Sequence, residues 1–263
     1  NELSNIVQFK SQLAGSDHEI KVVVVDEGNK RLRMRNSKLL QGLNHEFYGP
    51  KERAMWFRAR FNGRYNKYLR VIPDKCHAET SFGFLVAYEE HADLIIELDD
   101  DVFPADSRSI VDAHWKNLTE KSGVSVMSYG KWYNTLDNLK LSTRAKLYPR
   151  GHPYASEARL DEYLWTNEGE KCVLNMGLWA GCPDLDALTL LSHGGLNGLC
   201  SIESRAVKKE KVIVKKGTYF ALCSMNASFT AEIVPAFYQF YMKYMGVDLS
   251  LIHISEPTRQ AEI

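Results

Sequence analysis

The sequence predicts an α/β fold, a mostly parallel sheet flanked by helices on both faces. Three observations carry this. Strand-like and helix-like segments alternate from Glu19 to Tyr129. The strand-like runs Val22-Val23-Val24-Val25 and Leu94-Ile95-Ile96-Glu97-Leu98 are nearly continuous in apolar residues, as strands buried on both faces are. Each run enters an acidic segment, Asp26-Glu27 or Asp99-Asp100-Asp101, at the carboxyl end where open α/β sheets bind ligands.

Taken in order, Asn5–Leu13 reads as an amphipathic helix with apolar Ile6, Phe9 and Leu13. Glu19–Val25 is a strand entering the turn Asp26-Glu27-Gly28-Asn29. Lys30–Arg70 is basic and aromatic with weak periodicity, and is expected to be irregular loop. Glu79–Glu90 has helical character, and Ala92–Leu98 is the second buried strand. Asp106 or Ser107 can cap a helix running to about Lys121, with Val111, Trp115 and Leu118 on one face. Val124–Tyr129 is a further strand. Thr230 can cap a helix whose face is Ile233, Phe237, Tyr241 and Met245. No internal repeat, low-complexity linker or domain boundary interrupts the chain, so one domain is expected over residues 1–248.

The 263 residues are 44% hydrophobic and 25% charged, an ordinary globular balance. Lys plus Arg and Asp plus Glu are 33 each, and this neutrality disfavours generic nucleic-acid binding. No apolar run approaches the roughly 20 residues of a membrane span. Cys76, Cys172, Cys182, Cys200 and Cys223 are odd in number and lack paired spacings. They suggest neither a disulfide framework nor a zinc site, and point to a reduced, cytoplasmic compartment. The chain opens at Asn1 in mid-phrase, and residues 249–263, LSLIHISEPTRQAEI, resemble an in-frame translation of a sequencing adapter. Truncation at both ends is therefore expected, with that tail excluded from fold reasoning.

Three adjacent carboxylates repel one another, so a cation is expected to offset Asp99, Asp100 and Asp101. A hard divalent ion, Mg²⁺ or Mn²⁺, suits oxygen ligands. In extended backbone Asp99 and Asp101 share a side, and that pair can hold a metal which also binds a diphosphate. A solvated acidic turn is the equal alternative. Neither a Gly-x-Gly-x-x-Gly after the first strand nor a Gly-x-x-x-x-Gly-Lys-Ser/Thr is present, so the Rossmann and P-loop signatures are missing.

A strand ending in Asp-x-Asp resembles the metal-binding motif of glycosyltransferases of the GT-A fold. Four further stretches follow: His114-Trp115-Lys116-Asn117-Leu118, Tyr148-Pro149-Arg150-Gly151-His152-Pro153-Tyr154, Gly177-Leu178-Trp179-Ala180-Gly181-Cys182-Pro183-Asp184-Leu185-Asp186-Ala187, and Lys216-Gly217-Thr218-Tyr219 through Met225-Asn226. Their order and spacing resemble the reversibly glycosylated polypeptide family, which includes the UDP-arabinopyranose mutases. The similarity runs from roughly Ile20 to Val247, patchily before Leu94. It departs where the family's Ser-His-Gly reads Asn175-Met176-Gly177.

The resemblance implies a GT-A-type domain and a metal-dependent transferase or mutase acting on a UDP-sugar. It implies Asp99, Asp100 and Asp101 as metal ligands for Mn²⁺ or Mg²⁺, Asp26 near the nucleotide, and Arg150 as the residue that carries the sugar in self-glycosylation. A guanidinium is a poor nucleophile because it stays protonated, but it is a good bidentate partner for phosphate. Covalent attachment at Arg150 needs a nearby base such as a carboxylate. Both roles, diphosphate clamp and glycosylation site, stay open. Trp179, Asp184 and Asp186 are expected to form a sugar pocket, with Asp186 a candidate catalytic carboxylate. The alternative is a core tryptophan beside aspartates that cap a turn. The Asn226 amide is a candidate for a sugar hydroxyl. His114 is expected on a helix face, and Cys182 and Cys223 as small buried residues. A UDP-sugar, a carbohydrate acceptor and an oligomeric assembly are the implied partners. A non-catalytic nucleotide-sugar-binding or scaffold member is the competing reading, with a metal-dependent phosphohydrolase behind it.

Overall fold

The computed structural model describes residues 2–75, 77–194, 200–237, 243–244 and 247–248. The predicted adapter-like tail, 249–263, lies outside the described residues. The described residues divide into two compact units, one built from those up to 115 together with those from 228 on, the other from those between 116 and 227.

In the first unit, helix α1 (Ser4–Ala14) matches the predicted helix and buries Phe9. Strand β1 (Val22–Val25) leads to α2 (Lys30–Leu39), whose N-cap Asn29 accepts the Leu32 N–H at 3.0 Å. Strand β2 (His45–Tyr48) lies parallel to β1, with Val22 opposite His45 and Val25 opposite Tyr48. Helix α3 (Pro50–Phe61) starts on a proline, and Glu52 accepts the Gly49 N–H at 3.0 Å. A 3₁₀ turn (Asn62–Arg64) joins it to α4 (Tyr65–Leu69). The expectation of irregular loop over Lys30–Arg70 is thus wrong. The segment holds three helices and a strand. Its periodicity is weak because α3 turns Arg53, only 1% exposed, into the interior.

Helix α5 (Thr80–Glu89) and strand β3 (Leu94–Leu98) follow, close to their expected limits. Helix α6 (Ile110–Thr119) is capped by Ser109, whose hydroxyl accepts the Asp112 N–H at 3.1 Å. The expected caps lie earlier, and Asp106 instead binds the Arg108 N–H at 2.9 Å. The core of this unit is Phe57, Ile72, Phe82 and Val86, with Val23, Val25, Tyr48 and Trp56 packed against it. Phe82 meets the rings of Tyr48, Trp56 and Phe57 at centroid distances of 5.0, 5.3 and 5.8 Å.

The second unit is a set of short strands. They are β4 (Val124–Ser128), β5 (Trp132–Tyr133), β6 (Leu139–Leu141), β7 (Tyr163–Thr166) and β8 (Leu174–Met176). Helix α7 (Ala187–Ser192) precedes β9 (Ser204–Val207), β10 (Val212–Val214) and β11 (Tyr219–Phe220). Strand β4 has β10 parallel on one side and β7 antiparallel on the other. Strands β5 and β11 are parallel, whereas β6 and β9 are antiparallel. The sheets are therefore mixed and small, which corrects the expectation of one mostly parallel sheet. The antiparallel neighbours need no crossover helix, and the parallel ones, β10 beside β4 and β11 beside β5, return over long connections. Leu136, Leu139, Leu147, Leu185 and Ile202 form the core here.

Strand β12 (Asn226–Thr230) carries the chain back to the first unit, where it lies beside β3. The helix expected after Thr230 is a 3₁₀ turn (Ala231–Ile233) followed by a turn through Ala236. Pro235 lacks an N–H and so cannot donate to the carbonyl of Ala231 in a helical ladder, although Val234 itself keeps right-handed helical backbone. Of the expected face, Tyr241 and Met245 lie outside the described residues. Lys243–Tyr244 and Val247–Asp248 pair antiparallel. Among the described residues no helix is long and apolar enough to cross a membrane.

Candidate functional site

In the first unit, Asp26 stands at the carboxyl end of β1. Its Oδ1 accepts the Gly28 N–H at 2.6 Å, and its Oδ2 accepts from Asn36 Nδ2 at 2.7 Å. Asn36 is buried and in turn accepts the Leu3 N–H at 3.0 Å. Asp26 therefore sets the β1–α2 turn. Beside it, Glu27 pairs with buried Arg53, which also pairs with Asp74. The Glu79 carboxyl is pushed up to about 9 by burial and by its hydrogen bond to Glu27.

Asp99 and Asp100 are half-buried and Asp101 is exposed, in a turn that follows β3 directly. Val102 N–H donates to the Asp99 carbonyl at 3.2 Å. The Asn5 amide ties the turn down by donating to the carbonyls of Asp99 at 2.9 Å and Val102 at 3.0 Å. Residues 100 and 101 are turn rather than strand. The same-side argument for Asp99 and Asp101 needs extended backbone and does not apply here. Among the described residues no three His, Cys, Asp or Glu side chains gather as metal ligands. The donor set is nonetheless all hard oxygen, and Mg²⁺ sites commonly use one or two carboxylates plus substrate phosphates. His114 lies on α6, as expected, on its buried face: it is 3% exposed, with Nδ1 at 2.7 Å from the buried Ser228 hydroxyl.

In the second unit, the peptide bridge between Pro149 and Leu185 sets Arg150 against Asp184. Arg150 N–H donates to the Asp184 carbonyl at 2.9 Å. Its side chain then meets the carboxylate side-on, Nε to Oδ1 at 3.2 Å and Nη2 to Oδ2 at 3.4 Å. Nη2 also approaches Cys223 Sγ at 3.5 Å. Gly151, at φ +93°, turns the chain immediately after Arg150 in backbone that a side chain would strain. The loop beyond is fixed by Arg159, whose guanidinium lies 4.3 Å from the ring centroids of both Tyr148 and Tyr154.

Burial raises the Asp184 carboxyl above the usual range, against the pull of Arg150. Burial pushes the Cys223 thiol up to about 12, helped by the Asp184 charge. Burial works against the Arg150 cation, but Asp184 and Cys223 together outweigh it, so the guanidinium is held above its ordinary value. Asp184, Cys223, Met176, Trp179, Pro149 and Thr135 are among the walls of a small cleft. Its enclosed space is about 10 Å³, room for one water. Met176, the departure from the family motif, accepts the Cys223 N–H on its sulfur at 3.1 Å.

Asp184 and Trp179 share the walls of that cleft, Asp184 also holds Arg150, and Asp186 is not among the cleft's walls. Asp186 instead caps α7, accepting the Leu188 and Thr189 N–H groups at 3.0 Å each. Asn226 lies against Gly177, where a Cβ would come within 2.2 Å of its Nδ2. Sequence reasoning missed Cys223 and Met176 as partners of this site, and Glu27, Arg53 and Glu79 beside Asp26. Gly49-Pro50-Lys51-Glu52, with proline at the first helical position and glutamate two later, was the signal available for the helix that carries Arg53.

The model of the reversibly glycosylated polypeptide family matches residues 22–248. UDP-arabinopyranose mutase 1 of Oryza sativa subsp. japonica is 25% identical over 224 residues, covering 82% of this chain and 51% of that protein. UDP-arabinopyranose mutase 2 of Arabidopsis thaliana is 27% identical over 224 residues, with the same coverage. Probable UDP-arabinopyranose mutase 2 of Solanum tuberosum is 27% identical over 164 residues, 60% of this chain and 37% of that protein. The chain spans about half the length of the curated relatives it matches.

Proposed function

The chain belongs to the reversibly glycosylated polypeptide family, and from that footing we propose that it binds a UDP-sugar and isomerises or transfers the sugar. The observation that carries this reading is Arg150, held side-on by a buried carboxylate beside the Trp179-walled cleft. A guanidinium so fixed can neutralise a departing diphosphate or itself take the sugar. Its relatives' names specify UDP-arabinopyranose mutases, so UDP-arabinose is the first substrate to test. Asp26 is the proposed nucleotide contact and Asn226 a sugar contact. Asp99, Asp100 and Asp101 are the proposed holders of Mn²⁺ or Mg²⁺, which when bound would offset the diphosphate charge. A GT-A-type domain, a carbohydrate acceptor, an oligomer and a cytoplasmic setting complete the proposal.

The test is conversion of UDP-arabinopyranose to UDP-arabinofuranose, resolved by chromatography, with and without Mn²⁺. Arg150→Ala is expected to lower turnover by about 10² or more, as loss of a transition-state charge partner does. Wild-type turnover in that variant refutes the role of Arg150. A second reading is a binding member without turnover. Saturable UDP binding with no conversion, transfer or hydrolysis would establish it.

A further inference from the structure

We propose that Asp184 serves Arg150: it orients the guanidinium and is the base that takes its proton when Arg150 bonds to the sugar. This deepens the self-glycosylation reading above and rests on it. Asp184 reaches Arg150 three ways, by its carbonyl at 2.9 Å and by both carboxylate oxygens at 3.2 and 3.4 Å. The side-on pair engages Nε and Nη2, and Cys223 Sγ shares Nη2 at 3.5 Å. Neither partner holds Nη1, which leaves that nitrogen as the edge for the anomeric carbon.

A free guanidinium is neutral in fewer than about one molecule in 10⁵ at pH 7, so attack needs a base in contact. Asp184 is that contact, with its side chain 11% exposed. The titratable groups facing it are Arg150, Cys223 and Cys182. Its carboxyl, raised by burial, is a stronger proton acceptor than a solvated aspartate.

The step balances. Asp184 removes a proton from Nη2, and the neutral guanidine shifts a proton from Nη1 to Nη2 through water, which puts the free lone pair on Nη1. The Nη1 lone pair forms a bond to the anomeric carbon, and the bond from that carbon to the β-phosphate oxygen breaks with its electron pair on UDP. The product is a glycosylated guanidinium cation, and Asp184 passes its proton to solvent. The net products are sugar on Arg150, UDP and one proton.

The experiment follows sugar attachment to the 263-residue chain from UDP-arabinopyranose by intact mass and peptide mapping, across pH. Wild-type labelling is expected on the Arg150 peptide, rising with pH and levelling once Asp184 is ionised. Asp184→Asn is expected to lose about 10²-fold or more in rate and to lose that plateau. Asp184→Glu keeps the carboxylate and is expected to recover part of the rate, which also covers the case of an Asn variant that does not fold. Labelling of either variant at the wild-type rate with the wild-type pH profile overturns the assignment of Asp184 alone. A wild-type chain that takes no sugar at Arg150 overturns the self-glycosylation reading and this proposal with it.

Discussion

Replacing Asp186 by alanine strips the start of α7 of its acceptors. Oδ1 loses the Leu188 and Thr189 N–H groups at 3.0 Å each, and Oδ2 loses the Thr189 hydroxyl at 2.8 Å. A lost N-cap costs about 0.5–2 kcal/mol. Two backbone donors and a hydroxyl place this one near the upper end, about 2 kcal/mol. For a chain of this size that lowers Tm by roughly 4–8 °C. Asp186→Asn keeps an acceptor oxygen and is expected to cost only a few tenths of a kcal/mol.

A general acid or base at this position has the opposite signature, with the Asn variant folded but slower by about 10² or more. Urea midpoints followed by circular dichroism, beside UDP-sugar turnover, separate the two. The pH dependence adds a check. Burial raises the Asp186 carboxyl, but the donors from Thr189, Tyr154 and Leu188 outweigh it and hold it below its ordinary value. A depressed folded value means the cap stabilises above the unfolded pKa of about 3.9 and fades as pH falls through the folded one. The gap between wild type and Asp186→Ala should therefore narrow in acid. An unchanged urea midpoint for Asp186→Ala refutes the energetic argument. A stable Asp186→Asn that loses 10²-fold in turnover refutes the cap as its whole role.

The other stability expectations concern the first unit. Phe82→Ala removes a fully buried ring that touches three aromatics, and should cost about 3–5 kcal/mol in urea unfolding; a loss under 1 kcal/mol would contradict the packing described. Glu79, pushed up to about 9 by burial and by Glu27, holds a proton that the unfolded chain releases above about pH 4.3, so stability falls as pH rises between those values. Glu79→Gln should flatten that slope and raise the urea midpoint at pH 8, and an unaltered slope would show that Glu79 ionises normally.

The fold was legible where burial and local signals agree. Strands β1 and β3 are apolar runs, and α1, α5 and α6 have apolar residues at helical spacing, so their positions follow from pattern alone. Helix α3 defeats pattern reading for a physical reason. Its interior-facing Arg53 occupies a place where an apolar residue is expected, neutralised by Glu27 and Asp74 from distant segments. The short strands of the second unit fail for another reason. Pairs such as β6 with β9 join residues some sixty positions apart, and two or three residues carry too little periodicity to declare a partner.

The site divides along the same line. Arg150 and Asp184 stand out through motifs in order, but motif order cannot tell a sugar ligand from a partner of arginine. That distinction is made by the Pro149–Leu185 bridge, which aligns two segments 34 residues apart so that one carboxylate meets one guanidinium side-on. Asp186, two residues on, is the N-cap of α7 and accepts backbone N–H groups instead. The pattern Asp-x-x-Thr before an apolar run was readable as a cap, and the alternative of a capping aspartate was open from the outset. The shared stretch Asp184-Leu185-Asp186 thus does three jobs: one carboxylate holds Arg150, the leucine enters the core, and the other carboxylate starts α7. Moving Arg150 therefore requires breaking the bridge that also anchors Leu185 in that core, which is why a flexible cation can be kept at one place and orientation.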